Sequence, residues 1–324
     1  MIRNFISFVL RCRLENVMAV GISTSLVVLF LTTRLFRSFS FGMQDLIFIL
    51  LPVAILSLKS FLVILSPSKN EDEENSDLIN FLGQFFQPFV KIFRDWFPFL
   101  LLSACYFSLY SNLMLRVNPH TADALLANID AAVLGNQAAF LLERWIHPWI
   151  TDFLSFIYFS FVLFLPGVAL YFYLAKEEEA FRRLMMGYLT IILMGVVSYL
   201  IVPAIGPEKF FADRFTRDLQ GQTLSRGVDY IINAARVAHD CFPSLHVGIP
   251  LLLSFYLRDY RRKAFIPSLV YVALMCFATV YLRYHYVIDV VAAFAYAPAA
   301  YYLNDFLLAR WPGERASVSS VQIE

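Results

Sequence analysis

The sequence predicts an all-α integral membrane protein with about eight transmembrane helices. Three observations carry the prediction. Hydrophobic residues make up 59% of the 324 residues and charged residues only 16%, a balance that suits lipid rather than water. The apolar residues gather into runs of about 20, the length a helix needs to cross a hydrocarbon layer of roughly 30 Å. The cations are scattered in the short loops between these runs and form no basic face or stripe, which also removes nucleic acid as a partner.

Taken in order, the runs are 17–36, 46–65, 96–115, 153–174, 184–202, 243–257, 264–282 and 285–304. The first two form an N-terminal two-helix segment, 1–65. Its basic start leads into an apolar run long enough to span, so it is expected to remain as an anchor and not to be removed as a signal peptide. Residues 66–77 (SPSKNEDEENSD) are polar and acidic and read as a solvated linker; with the entry to the core they make up 66–95. The other six runs form a core over 96–305, followed by a tail, 306–324. Within the core, 116–152 holds apolar residues at helical spacing (Leu125, Leu126, Ile129, Val133, Leu134) and then Trp145 and Trp149. That is the pattern of amphipathic helices lying in the membrane interface with Trp at headgroup level. The run 243–257 offers only about 15 residues before Arg258, about 22 Å of helix, so His246 near its start is expected below the membrane surface.

Orientation follows from Lys and Arg. More of them fall on 1–16, 66–95, 175–183, 258–263 and 305–324 than on the opposite side, and the short loop Arg258-Asp259-Tyr260-Arg261-Arg262-Lys263 is the strongest single mark. The positive-inside rule makes these segments cytoplasmic. Both termini are then cytoplasmic, and the five histidines (His120, His147, His239, His246, His285) lie on the extracytoplasmic or lumenal side. Cys12, Cys105, Cys241 and Cys276 are far apart, which supports neither a disulfide framework nor a CxxC metal site; they are expected to fill space.

Chemistry enters through two His motifs, Phe242-Pro243-Ser244-Leu245-His246 and His285-Tyr286-Val287-Ile288-Asp289. Asp289 opens an otherwise uncharged run, and an ionisable group inside such a run is by default functional. Residues four apart share a helix face, so Asp289 can hydrogen-bond His285 and fix the tautomer that a nucleophilic or basic imidazole needs. Pro243 suits the first turn of a helix, whose unpaired amides, at Ser244 and Leu245, would then stand beside His246 where an anion could bind. His120 and His147 read as surface residues, and Tyr281, Tyr284 and Tyr286 as an aromatic belt.

These residues resemble a known family. Pro243-Ser244-Leu245-His246 and His285-x3-Asp289, separated by two apolar runs with a cytoplasmic turn, look like the second and third motifs of the type 2 phosphatidic acid phosphatase superfamily. The likeness is closest to its inositol phosphorylceramide synthase-like branch, which has Pro-Ser-Leu-His and a Thr-x-Tyr-Leu stretch; here that stretch is Thr279-Val280-Tyr281-Leu282. Asn128-Ile129-Asp130-Ala131-Ala132-Val133-Leu134-Gly135 is similar to the outer-loop segment of that branch. The resemblance covers about 96–305. It departs at the first motif, Lys-x6-Arg-Pro, where alignment onto Pro207 puts Tyr199 at the Lys and Gly206 at the Arg, and at the Ser-Arg that opens the third motif, where this chain has Ala278-Thr279.

The resemblance implies metal-independent chemistry through a phosphohistidine, without a cofactor. His285 is the implied nucleophile, oriented by Asp289, and His246 the acid and then the base. Arg283, Lys209 and Arg236 are the cations available to replace those the motifs lack, with Arg283 preferred because a guanidinium binds phosphate in a fork. The implied partners are the lipid bilayer, a phospholipid, sphingolipid or polyprenyl phosphate substrate, and a polyol or other alcohol as acceptor. The implied activity is a lipid phosphotransferase, with a lipid phosphatase using water as the alternative. Two further readings remain: a hydrolase with zinc on His239, Asp240, His246, His285 and Asp289, and a non-catalytic membrane protein with a decayed site.

Overall fold

The computed structural model describes residues 12–32, 91–103, 106, 118–219, 221 and 239–311, and the architecture is that of those residues. They form helices and loops, with one isolated parallel bridge between Ala204 and Asp240. The helices are Leu14–Thr32 (α1), Asp123–Leu134 (α2), Ala138–Leu142 (α3), Pro148–Leu174 (α4), Glu178–Ile201 (α5), Pro207–Phe210 (α6), Leu245–Tyr260 (α7), Arg262–Tyr281 (α8) and Val287–Arg310 (α9); residues 91–103 are helical as well. Among them α4, α5, α8 and α9 are long and apolar enough to cross a membrane. The pair formed by α2 and the stretch Ala138–Trp145, bent by 59°, adds a fifth if it is one broken or re-entrant span. The chain is therefore an all-α, multi-pass membrane protein, as its composition predicts. Of the eight expected spans, 46–65 lies outside the described residues and 96–115 lies mostly outside them, while 243–257 corresponds to the 16-residue α7, about 24 Å long.

The core is layered around α5. Of its apolar stretch 72% is buried, against 28% for α4, so α5 is enclosed by protein while α4 shows much of its surface to lipid. Two glycines let α7 approach α5. A Cβ at Gly187 would stand 2.1 Å from the Tyr256 hydroxyl, and one at Gly195 would stand 2.7 Å from Leu245 Cδ1. Helix α7 also packs on α8 and α9, which seats this 16-residue helix in the middle of the bundle. At the end away from the histidines, α1 is fastened by charge. Glu15 accepts two hydrogen bonds from Arg182, at 2.8 and 3.2 Å, and Arg13 bridges Asp95 and Glu178.

Candidate active site

Helices α7 and α9 begin at the same end of the bundle, and their starts are joined: the Ser244 amide donates to the Asp289 carbonyl at 3.1 Å. That bond holds Ser244 extended as the N-cap of α7, which begins at Leu245. Pro243 thus lies outside the helix and not in its first turn, a correction to the sequence reading. The Ser244 hydroxyl is fully buried and has no hydrogen-bond partner among the described residues, so a polar group stands at the helix start beside Leu245 and His246.

The structure brings His246, His285 and Asp289 together. The two imidazole centroids are 5.7 Å apart. His285 Nδ1 faces Asp289 Oδ2 at 3.3 Å, which leaves Nε2 for a reacting atom, and both side chains are buried. The Asp289 carboxylate is held in turn by the Tyr286 amide, which donates to Oδ2 at 2.8 Å, a helix-start bond that fixes the third residue of α9. His246 is stacked on Tyr158 of α4 at 4.5 Å and tilted against Phe161 at 4.6 Å.

Several residues that sequence reasoning did not single out complete the site. Cys241, expected only to fill space, sets its thiol 3.0 Å from Asp289 Oδ2 and 3.6 Å from His285 Nδ1; of the acceptors in reach, the carboxylate is the strongest. Asp130 lies inside the segment quoted for its family likeness, and its carboxylate accepts from the amides of Val287 and Ile288, at 2.7 and 2.9 Å. It caps α9 from another helix. Asp123, one turn from the start of the same segment and fully buried, accepts from the Ile205 and Gly206 amides and from the Tyr286 hydroxyl. Only a carboxylate next to an apolar, helix-spaced run could have marked Asp123 and Asp130 in the sequence. The tyrosines expected as a belt are instead internal: Tyr281 and Tyr286 are almost wholly buried, because their hydroxyls bond Thr151 and Asp123. Trp145 and Trp149 are exposed.

Of the three expected phosphate cations, Arg283 is engaged by neighbouring protein groups. Arg283 is buried, with φ +66°, and its guanidinium donates to the Arg217 carbonyl at 2.6 Å, pairs with Glu143 at 3.3 Å and lies 3.7 Å over the Phe215 ring. Both bonds leave from Nη2, one end of the guanidinium fork. Burial works to raise the Glu143 carboxyl, but hydrogen bonds from Thr216 and the Arg217 amide, with the Arg283 charge, hold it below the usual carboxylate range. Lys209 is exposed on α6, and Arg236 lies outside the described residues.

At the three positions where the family motifs carry cations, this chain has made structural ties. Tyr199 donates its hydroxyl to the Pro243 carbonyl at 3.2 Å. The Gly206 amide donates to Asp123 at 2.9 Å, and the Thr279 carbonyl accepts from the amides of Tyr284 and His285. A metal has one place among the described residues: Cys241, His285 and Asp289 offer ligand atoms within 4.8 Å of one another. That trio shares only His285 and Asp289 with the five-residue zinc set considered from the sequence.

A buried His–Asp pair faces a second His at one end of a membrane helix bundle. A family model for the PAP2 superfamily matches residues 125–303, more than half of the chain, and the chain belongs to that superfamily. Membership makes it a lipid enzyme of the phosphatase and phosphotransferase type. No curated protein and no solved structure matches it.

Proposed function

We propose that the chain is a lipid phosphotransferase that moves a phosphate-bearing headgroup between a lipid and an alcohol through a phosphohistidine, as in the inositol phosphorylceramide synthase-like branch it resembles. The observation that carries the reading is His285 set against Asp289 on one side and 5.7 Å from His246 on the other. His285 Nε2 attacks phosphorus, the ester P–O bond breaks, and His246 gives its proton to the leaving oxygen. Asp289 keeps the proton on Nδ1 and stabilises the charge that grows on the ring. In the second half-reaction His246 takes the proton of the incoming alcohol, whose oxygen attacks phosphorus as the N–P bond breaks. The Ser244 hydroxyl and the first-turn amides of α7, Leu245 included, offer neutral donors to the phosphate oxygens. Arg283 joins them by exchanging Glu143 for phosphate, with Lys209 and Arg236 as the other candidate cations. The site faces the extracytoplasmic or lumenal side.

The family match favours a second reading, a lipid phosphatase in which water replaces the alcohol at the same residues. One experiment tests both. Purified protein is incubated with a labelled phospholipid or lipid phosphate, with and without a polyol or a ceramide, and the phosphoenzyme is trapped under alkaline conditions and mapped by mass spectrometry. Label on His285 that passes to the added alcohol supports the transferase, and release only as phosphate supports the hydrolase. Phosphate on any other residue, or full turnover by His285→Ala, overturns the shared mechanism.

A further inference from the structure

At the opposite end of the bundle, α4, α7 and α8 enclose a groove of about 730 Å³, within the roughly 300–1,000 Å³ of small-molecule sites. Helix α7 alone separates it from His246 by nearly its full length, so it is no part of the histidine site. Its floor is apolar: Phe164, Gly167 and Val168 from α4 face Pro267 and Tyr271 from α8, with the Phe164 and Tyr271 rings stacked at 4.3 Å. The groove is open beside Gly167, where a Cβ would meet nothing within 4 Å. Its rim is cationic. Arg261 is satisfied, pairing with Glu177 and donating to the Tyr171 hydroxyl at 2.6 Å. Arg262 and Lys263 are exposed and form no ion pair with any acidic group among the described residues, so the rim carries two uncompensated positive charges.

We propose that this groove binds one anionic glycerophospholipid of the leaflet opposite the histidine site, with an acyl chain along the floor and the headgroup phosphate between Arg262 and Lys263. Both parts of the groove ask for that ligand. An apolar channel between two membrane-spanning helices opens to acyl chains, and a basic pocket between such helices at the membrane surface selects anionic headgroups. A zwitterionic lipid would fill the floor and leave the rim charge unmatched, while a free anion would match the rim and leave the floor empty. The proposal does not depend on the chemistry assigned to His285.

The test uses the full chain in phosphatidylcholine nanodiscs containing a small fraction of phosphatidylglycerol with a diazirine in its acyl chain, or the same fraction of diazirine-tailed phosphatidylcholine. After illumination, adducts should map to residues 164–171 and 264–271, with phosphatidylglycerol exceeding phosphatidylcholine by at least about ten-fold. Joint substitution Arg262→Gln and Lys263→Gln should remove that excess and leave the basal labelling. Gly167→Leu, whose side chain enters open space, should reduce labelling by both lipids. If Gly167→Leu fails to fold, the rim variant alone decides. Equal labelling by the two lipids in the unmodified chain, adducts confined to other helices, or an excess that survives the rim substitutions overturns the proposal. So does labelling that appears only after the acidic stretch 66–77 is deleted, which would make that stretch the occupant.

Discussion

Asp289 Oδ2 serves three groups at once, the His285 ring, the Tyr286 amide and the Cys241 thiol, while Oδ1 is buried without a partner. One oxygen therefore sets the tautomer of His285, the start of α9 and the position of Cys241. Asp289→Asn keeps the volume and loses the charge, and a fall in kcat of about 10²-fold or more is expected, with lipid binding retained. Steady-state kinetics beside a binding assay check this; a loss confined to KM would contradict it. In the proposed mechanism Cys241 acts through Asp289, which its thiol meets at 3.0 Å. Cys241→Ala removes a hydrogen bond of about 1 kcal/mol, roughly a five-fold loss in kcat, and Cys241→Ser should restore most of it because a hydroxyl donates to the same carboxylate. Equal loss in both variants would show that only packing matters there. For Arg283 the question is whether its fork can leave Glu143. Glu143→Gln removes the competing charge, so KM should fall if the arginine clamps phosphate, and Arg283→Lys should then raise KM nearly as much as Arg283→Ala. An unchanged KM in Glu143→Gln would assign Arg283 to holding the loop around Arg217.

The helix carrying Asp289 is finished by another element. Its first two amides end on Asp130 of α2, and α2 also holds the 205–206 turn and Tyr286 through Asp123. Asp130→Ala leaves two amides without their acceptor. By comparison with helix caps the cost is about 1–2 kcal/mol, and it falls on the turn that positions His285. The expected result is a clear loss of kcat with most of the thermal stability of the bundle retained, measured by activity and melting on the same sample. A fall in melting temperature with normal kcat would make α2 a structural brace only.

The whole molecule separates its chemistry from its anchoring. The histidines gather where α7 and α9 begin, and the charged ties of α1, Arg261 and Arg183 gather at the other end. The orientation proposed from the positive-inside rule puts that second end in the cytoplasm. A cysteine at Ala212, exposed beyond α6, should then react with an impermeant thiol reagent in intact cells, and one at Lys263 only after rupture; the reverse pattern would turn the protein over. Much of this was legible in the sequence. Apolar runs fix long helices through length alone, and the i, i+4 spacing of His285 and Asp289 survives folding because it is local. What escaped depends on distance along the chain. Asp130 meets Val287 across 157 residues and Cys241 meets Asp289 across 48, pairings that no periodicity encodes. Pro243 misled for a related reason: the bond from Ser244 to Asp289, made between two helices, decides where α7 starts. The missing cations gave a true signal of absence, but not that Tyr199, Gly206 and Thr279 would become fastenings.

Helix α2 has two faces with different company. Leu125, Val133 and Leu134 are exposed, while the buried Asp123 and Asp130 hold the start of α9. On the proposed reading the alignment of His285 leans on a helix that meets lipid, and detergent that strips lipid from α2 is expected to lower activity before it melts the bundle; activity and melting followed on one sample in detergent and in lipid check this, and a parallel loss of both would sink it.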